Sequence, residues 1–202
     1  MKIEHRLLNI QMIAIKKYLS LVKFAHTIFA MPFALIGFFL GLTSSGPDFS
    51  SDSYKNLYVT GVNPYTGVTV AFILVLLCMI FARSAAMAFN RWLDKNFDAK
   101  NPRTAIREIP AGIIKANNAL LFVIINCMLF TVCTYFINRI CFYLSPVALF
   151  VILFYSYTKR FTALCHLVLG VGLSLAPIGA YLAVTGEFAV LPLLFSFTVL
   201  FW

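Results

Sequence analysis

The stretch TGVTVAFILVLLCMIFARSAAMAF, residues 66–89, is a long apolar run, and NRWLDKNFDAKNPRT, residues 90–104, follows it directly. A helix needs about 20 mostly apolar residues to cross the hydrocarbon core of a bilayer. The apolar run reaches that length, so the polar stretch begins where the helix leaves the membrane. The sequence therefore predicts a transmembrane helix whose end carries two aspartates one turn apart, Asp94 and Asp98.

The composition of the whole chain agrees with a membrane protein. Hydrophobic residues make up 61% of the 202 residues, charged residues make up 11%, and the mean hydropathy is +0.90. A water-soluble fold cannot bury so much apolar surface. We predict an all-α integral membrane protein, a single transmembrane bundle over residues 1–202 with five complete spans and a partial sixth. The predicted spans are Tyr18–Leu42, Thr66–Phe89, Ala116–Ile137, Ile140–Tyr157, Phe161–Val184 and Phe188–Trp202.

The basic residues predict the orientation of these spans. The formal net charge is +9, and the segments before, between and after the five complete spans hold 5, 1, 6, 1, 2 and 0 lysines and arginines when Lys23, which lies at the start of the first span, is counted with the segment before it. This alternation matches the positive-inside rule with a cytoplasmic N-terminus, as in a multi-pass protein of the cell (inner) membrane. The charged loop predicted over residues 90–115 then faces the cytoplasm. The partner of the chain is the lipid bilayer, and nucleic acid is excluded. The five cysteines have no CxxC spacing and are interpreted as packing residues.

Asn90, Asp94 and Asp98 are spaced by four residues and share one helix face. Two carboxylates near a helix C-terminus repel each other and the helix dipole, so a cation stabilises them. Carboxylate and amide oxygens suit Mg²⁺, which shares its coordination shell with substrate phosphates. The alternative is an ordinary solvated helix end.

Basic residues flank this acid face on both sides. Arg83 lies deeper in the apolar run, where an arginine indicates a functional site unless it extends to the interface. Lys100, Arg103 and Arg107 follow the acids, and arginine forks suit phosphate oxygens. An acid face that binds metal beside such residues is typical of a diphosphate site.

Four strings of the sequence together carry a resemblance to a known family. They are FNRWLDKNFDAKNPRTAIREIPAG at 89–112, VKFAHTIFAMPFAL at 22–35, with Lys23 and His26, YSYTKRF at 155–161, with Tyr155 and Lys159, and GLSLAPIGAYLAV at 172–184. They resemble motifs of the UbiA superfamily of intramembrane aromatic prenyltransferases, and the string at 89–112 is similar to its first Asp-rich motif. They follow one another in the family's order over about the whole chain.

This resemblance implies nine transmembrane helices around a central cavity and two Asp-rich motifs that hold Mg²⁺ on a polyprenyl diphosphate. The prenyl group passes to an aromatic acid acceptor in quinone biosynthesis, either 4-hydroxybenzoate or a dihydroxynaphthoate. Asp94, Asp98 and Lys159 are the implied catalytic residues. Asn90, Asp94 and Asp98 hold the metal, and phenylalanines contribute to a slot for the prenyl chain. The implied substrate-binding residues are Lys23, Arg83, Asn90, Arg103, Arg107 and Tyr155, with His26 as a further basic candidate.

Two features depart from the family's pattern. After Asp98 the acidic residues are Glu108 and Glu187, so a second Asp-rich motif is absent. The last apolar run spans only about 22 Å at about 1.5 Å per residue. We therefore expect the chain to represent the N-terminal two-thirds of a prenyltransferase and to be inactive alone. Glu108 lies in REIPAG, which resembles the branch that prenylates a dihydroxynaphthoate.

Three other functions are compatible with parts of the sequence. A transporter also carries arginine and aspartate within membrane helices, although the matching broken helices of two repeats are not found. A phosphatidyltransferase acts on diphosphate-linked alcohols, but its DGxxAR pattern is absent. A catalytically inactive fragment that inserts in the membrane is the third alternative.

Overall fold

The computed structural model describes the backbone of residues 17–22, 25–44, 64–162 and 164–201, and their side chains except those of residues 25–30 and 64–66. Residues 17–22 are helical, and six longer helices follow without a strand anywhere in these ranges. The six are α1 (Ala25–Ser44), α2 (Pro64–Lys100), α3 (Ala116–Ile137), α4 (Arg139–Thr158), α5 (Cys165–Thr185) and α6 (Val190–Leu200).

Helices α2 to α5 are long and apolar enough to cross a membrane, and the apolar parts of α1 and α6 whose side chains are described are shorter. The all-α membrane architecture is thereby confirmed, and the bounds of α3 agree with the predicted third span. Large apolar side chains cover the outer faces, among them Tyr143 and Phe150, which are 73% and 64% exposed. Such a surface is stable in lipid rather than in water.

Helix α2 is much longer than its predicted span. Its 37 residues extend over about 55 Å, whereas the hydrocarbon core of a bilayer measures about 30 Å. The helix continues to Lys100, so the helix predicted for Asn90, Asp94 and Asp98 is present, whereas the prediction of a loop over residues 90–115 is wrong for its first part. Residues 68–100 contain no proline or glycine, which are the residues that most often break a helix. The helix can therefore continue beyond the point where it leaves the membrane. The Asp-rich residues therefore lie on the same rigid helix as the apolar run.

Helices α1 and α5 approach each other closely at two glycines. A Cβ added at Gly37 would lie 2.1 Å from the backbone oxygen of Pro177, and one added at Gly41 would lie 2.8 Å from the Val184 Cβ. Small residues permit such contact between backbones, and the resulting van der Waals packing is one source of helix association in membranes. Pro177 is among the most deeply buried residues of the described chain. This contact fixes α5, which forms one wall of the cavity described below.

Asn138 connects the α3–α4 corner to α5. Its side-chain oxygen accepts a hydrogen bond of 2.7 Å from the backbone nitrogen of Cys141 and so caps the first turn of α4. Its side-chain nitrogen donates a 2.7 Å hydrogen bond to the carbonyl oxygen of Leu182. Asn138 is only 3% exposed, so both bonds are shielded from competing water. The corner and α5 are therefore held in one fixed arrangement.

Candidate functional site

The predicted acid face of α2 meets the α4–α5 corner. The Lys159 ammonium donates hydrogen bonds to the Asn90 side-chain oxygen and to one carboxylate oxygen of Asp94. The side chains of Lys159 and Asp94 are 23% and 17% exposed, so this ion pair is partly shielded from water. The structure thus brings together two ligands of the predicted metal site and a predicted catalytic residue that lies 65 positions further along the chain.

Arg160 is a further site residue, absent from the set predicted from sequence. Its guanidinium donates a 2.6 Å hydrogen bond to the Leu93 carbonyl oxygen and lies 3.6 Å from the second carboxylate oxygen of Asp94. It also lies over the rings of Phe97 and Tyr157, at 5.1 Å and 5.9 Å from their centroids. Stacking and hydrogen bonding together orient the guanidinium plane. The sequence feature that could have identified Arg160 is its position next to Lys159 in a short basic loop.

Asp98, on the same helix, forms a second ion pair with a residue that lies beyond the end of α2. Arg107 donates from one guanidinium nitrogen to both carboxylate oxygens of Asp98, at 2.7 Å and 2.8 Å. The Asp98 side chain is 9% exposed and that of Arg107 is 34% exposed. Thr104 donates a 3.0 Å hydrogen bond to the Asp98 carbonyl oxygen. Residues 101–115, which join α2 to α3, are therefore folded back onto the end of α2.

Removing the Arg107 side chain should loosen this connection. In Arg107→Ala, Asp98 stays almost buried without its partner, and we expect backbone amide hydrogen exchange in residues 101–115 to accelerate about tenfold. A larger effect is not expected, because solvent already reaches Arg107. The matched control is Arg103→Ala, because Arg103 is exposed and forms no ion pair with the described residues. Equal exchange rates in the two variants would contradict this role of Arg107.

The other predicted site residues do not all lie at the acid face. Arg83 and Tyr155 both line the cavity that begins beside Asn90. Arg83 has a buried Nε for which no described residue is a hydrogen-bond partner. The Arg103 side chain is not brought to the acids, and its backbone nitrogen donates to the Asn101 side chain at 3.1 Å. Lys23 and the side chain of His26 lie outside the described residues.

The cavity lies between α2, α3, α4 and α5 and has a volume of about 480 Å³. This volume is within the range of about 300–1,000 Å³ that is usual for small-molecule sites. Its walls are mainly small and aliphatic, and Phe130 is the only phenylalanine among the described lining residues. The expectation of several phenylalanines along the slot is therefore not met in this part of the chain. An apolar cavity that opens beside acids and bases suits a ligand with a charged head and an apolar tail.

The acid face has the chemistry of a Mg²⁺ site. Its donors are the Asn90 side-chain oxygen and the carboxylates of Asp94 and Asp98, and oxygen ligands are those that Mg²⁺ prefers. The Lys159 ammonium lies between Asn90 and Asp94 and shows that this position stabilises a cation. No group of three or more His, Cys, Asp or Glu side chains suited to a metal was found in the described part of the chain. A metal here would therefore take its remaining ligands from water or from a bound diphosphate.

Comparison with known proteins agrees with this geometry. The sequence model described as the UbiA prenyltransferase family matches residues 57–202. The chain belongs to the UbiA prenyltransferase family. The resemblance inferred from the four motifs is thereby confirmed. The matched residues include the long helix, the cavity walls and the basic corner, which is formed by Lys159 and Arg160 between α4 and α5.

Curated relatives cover two kinds of family member. A 4-hydroxybenzoate octaprenyltransferase of Tolumonas auensis is 37% identical over 120 residues, which are 59% of this chain and 42% of the relative. A protoheme IX farnesyltransferase of Rhodopseudomonas palustris is 34% identical over 137 residues, which are 66% of this chain and 44% of the relative. The aligned region thus spans less than half the length of each of these relatives.

Solved structures show the same fold. A UbiA homologue of Aeropyrum pernix, determined in its apo form, matches with a TM-score of 0.69 and 28% identity over 88% of this chain and 60% of its own. A UbiA homologue of Archaeoglobus fulgidus bound to DMAPP and Mg²⁺ matches with a TM-score of 0.64 and 18% identity. That match covers 91% of this chain and 60% of the homologue. The second likeness supports the fold alone.

Proposed function

We propose that this chain forms the first acid-rich part of a Mg²⁺-dependent prenyltransferase site. The enzyme transfers a polyprenyl group from polyprenyl diphosphate to an aromatic acid. The observation that carries the proposal is the meeting of Asn90 and Asp94 with Lys159 at the mouth of an apolar cavity. Relatives named for prenyl transfer to 4-hydroxybenzoate support the same activity.

Asn90, Asp94 and Asp98 hold the metal in this proposal, and Lys159, Arg160 and Arg107 attract the diphosphate oxygens. The bound ion supplies positive charge that stabilises the leaving diphosphate. The allylic carbon–oxygen bond breaks and the diphosphate leaves with the electron pair. A ring carbon of the acceptor then forms the new carbon–carbon bond and loses its proton. The apolar walls keep water away from the allylic cation, which would otherwise be hydrolysed.

Two cations compete for the acid face in this mechanism. Lys159 now lies on Asn90 and Asp94, so its ammonium must move when metal and diphosphate bind. A diphosphate offers that ammonium new anionic partners, which compensates for the lost contact. The basic corner therefore changes from a partner of the acids into a partner of the substrate.

The acceptor has an acid group in both proposed versions. Arg83 lines the cavity with its buried Nε unpartnered by any described residue, and such a group stabilises a bound carboxylate. Both 4-hydroxybenzoate and a dihydroxynaphthoate carry one. The REIPAG string favours the dihydroxynaphthoate, and the Tolumonas relative favours 4-hydroxybenzoate. We also propose that the acid face lies on the cytoplasmic side of the inner membrane, as the charge alternation predicts.

The binding experiment uses the full chain in lipid nanodiscs and a non-hydrolysable prenyl thiodiphosphate. We expect saturable binding that requires Mg²⁺ and disappears with EDTA. In Lys159→Met we expect Mg²⁺ alone to bind more tightly, because its competitor is gone. The thiodiphosphate should bind at least about tenfold more weakly, because it loses a charge partner. Equal binding with and without Mg²⁺ would refute the proposal.

The activity itself is tested on the protein extracted from its native membranes, with its mass determined in the same preparation. The assay combines Mg²⁺, a polyprenyl diphosphate and each of the two aromatic acids. Prenylation of one acid over the other identifies the acceptor. Absence of product with both acids, from a preparation that binds the thiodiphosphate, would contradict prenyl transfer to these acceptors.

A further inference from the structure

One turn of α2 receives the guanidinium group of Arg160. The Leu93 carbonyl oxygen accepts its 2.6 Å hydrogen bond, and the Asp94 carboxylate lies 3.6 Å away. The Phe97 ring centroid lies 5.1 Å from the guanidinium carbon, and Tyr157 of α4 presents a second ring at 5.9 Å. Residues 93, 94 and 97 are neighbours on the helix surface, because positions three and four apart share a face. The guanidinium is therefore held by a backbone oxygen, a carboxylate and two rings.

Arg160 and Lys159 are neighbours in the chain but contact different atoms. Lys159 donates to the Asn90 side-chain oxygen and to the Asp94 carboxylate, which both belong to proposed metal ligands. Arg160 donates instead to a main-chain oxygen, and its 3.6 Å distance to Asp94 is longer than a hydrogen bond. A Mg²⁺ ion on Asn90 and Asp94 therefore displaces Lys159 but leaves the hydrogen bond and the ring contacts of Arg160 in place.

The Arg160 guanidinium keeps donors for a further anion. An arginine carries five N–H donors in a planar fork, and the Leu93 carbonyl oxygen accepts from one of its nitrogens. The Arg160 side chain is 28% exposed, so a ligand can reach the remaining donors. Because the guanidinium lies close to the Asp94 carboxylate, a phosphate oxygen on a metal at that carboxylate meets the guanidinium at short range.

Phe97 is exposed although it is a large apolar residue. It lies on α2 beyond the apolar run that ends at Phe89, and it is 64% exposed. A ring in this position gains little from burial. Its contact with a cation does not depend on burial, because the negative face of an aromatic ring attracts positive charge. The contact with Arg160 therefore accounts for an aromatic side chain at this position better than packing does.

We propose that Phe97 is a positioning residue for the diphosphate of the substrate. Its ring holds the Arg160 guanidinium beside the metal position, where the guanidinium donates to the diphosphate oxygens. The inference rests on the proposed function, because it assumes that the diphosphate lies at the acid face. Phe97 acts through Arg160 and does not touch the diphosphate itself. Of the two bases in the corner, Arg160 is the one whose position stays the same when metal and diphosphate bind.

A double-mutant cycle in lipid nanodiscs tests this role, with geranyl thiodiphosphate and Mg²⁺ as the ligand. In Phe97→Leu we expect the affinity to fall about two- to fivefold, the strength of one cation–ring contact. In Arg160→Gln it should fall at least about tenfold, because a charged donor is lost. In the double variant, Phe97→Leu should add no further loss, since the ring then has no cation to hold. Phe97→Trp should bind as the unaltered chain does, because indole attracts a cation at least as strongly.

A second ligand and a control variant exclude other roles of the ring. Inorganic pyrophosphate has no prenyl tail, so Phe97→Leu should weaken its Mg²⁺-dependent binding by the same factor. A loss confined to the thiodiphosphate would show that the ring contacts the tail, and it would overturn the inference. Phe161→Leu removes a ring from the same corner that is 78% exposed and stacks on Tyr157, and it should leave the affinity unchanged. Equal losses in Phe161→Leu and Phe97→Leu would assign the effect to lipid contacts and would also overturn it.

Failure of this inference is distinguishable from failure of the proposed function. If the unaltered chain does not bind geranyl thiodiphosphate with Mg²⁺, the proposed function fails and this inference fails with it. If the unaltered chain binds and Phe97→Leu binds equally well, the proposed function stands and the role of Phe97 is refuted. The same holds if the losses of the two single variants simply add in the double variant. A melting temperature close to that of the unaltered chain, as expected for an exposed position, shows that each variant is folded.

Discussion

The Asp94→Asn variant should lose Mg²⁺-dependent diphosphate binding almost completely. Asp94 contacts both Lys159 and Arg160, so its carboxylate lies at the centre of the charges that the structure assembles. Asparagine keeps the shape and removes the charge that attracts a divalent ion. We expect the dissociation constant for a prenyl thiodiphosphate with Mg²⁺ to rise at least about 100-fold, which corresponds to about 2.7 kcal/mol. Titration of the full chain in nanodiscs measures it.

The control for this substitution lies two residues away. Asn96 is exposed on the same helix, and Asn96→Ala should bind the thiodiphosphate as the unaltered chain does. A second control repeats the titration without Mg²⁺, where Asp94→Asn and the unaltered chain should both bind weakly. Mg²⁺-dependent binding of normal strength in Asp94→Asn would exclude this residue as a metal ligand and leave it as a partner of the basic corner alone.

The Gly37→Val variant should fail to form the α1–α5 contact. Its Cβ would clash with the Pro177 backbone oxygen, and a backbone atom cannot turn away as a flexible side chain does. Overpacking of a buried contact costs about 1–3 kcal/mol or more, and we expect at least about 3 kcal/mol here. For a chain of this size that lowers the melting temperature by about 10 °C. The measurement is thermal unfolding in detergent, together with the yield of monodisperse protein.

Two other glycines calibrate this expectation. Gly41→Ala brings a Cβ against the Val184 side chain, which can shift, so its effect should be smaller than that of Gly37→Val. Gly179→Ala meets no atom and should leave the melting temperature unchanged or raise it. A Gly37→Val variant as stable as Gly179→Ala would show that α1 and α5 do not pack as the structure describes.

Several parts of the fold can be predicted from the sequence, because a helix that crosses lipid must consist mainly of apolar residues. Residues 116–137 form an apolar run bounded by polar residues, and the helix has the predicted bounds. The end of α2 cannot be predicted in this way. Hydropathy indicates where the chain leaves the membrane, but it does not indicate where the helix ends. After Phe89 the sequence becomes polar, while the residues up to Lys100 still permit a helix. The boundary in hydropathy at Phe89 is therefore not a boundary of the helix.

The candidate site is predictable where its residues share one helix and less so where distant segments meet. The spacing of Asn90, Asp94 and Asp98 is sufficient by itself to place them on one face. Lys159 is identified through a motif, but only the tertiary fold shows that it lies on Asn90 and Asp94. Arg160 depends on stacking against Phe97, a contact between two helix ends that no local pattern reports. The roles of these residues towards metal and substrate stay predictions.

The continuity of α2 limits how such a site can open and close. One helix carries both the cavity wall at Val75 and the acids at Asp94, so these two parts keep a constant spacing and move only together. Lys159 and Arg160 belong to a separate corner that is joined to the acids by side chains alone. The acids and the cavity wall on α2 therefore form one rigid unit. A change in the distance between the acids and these bases therefore requires the corner to be displaced relative to α2 as a whole.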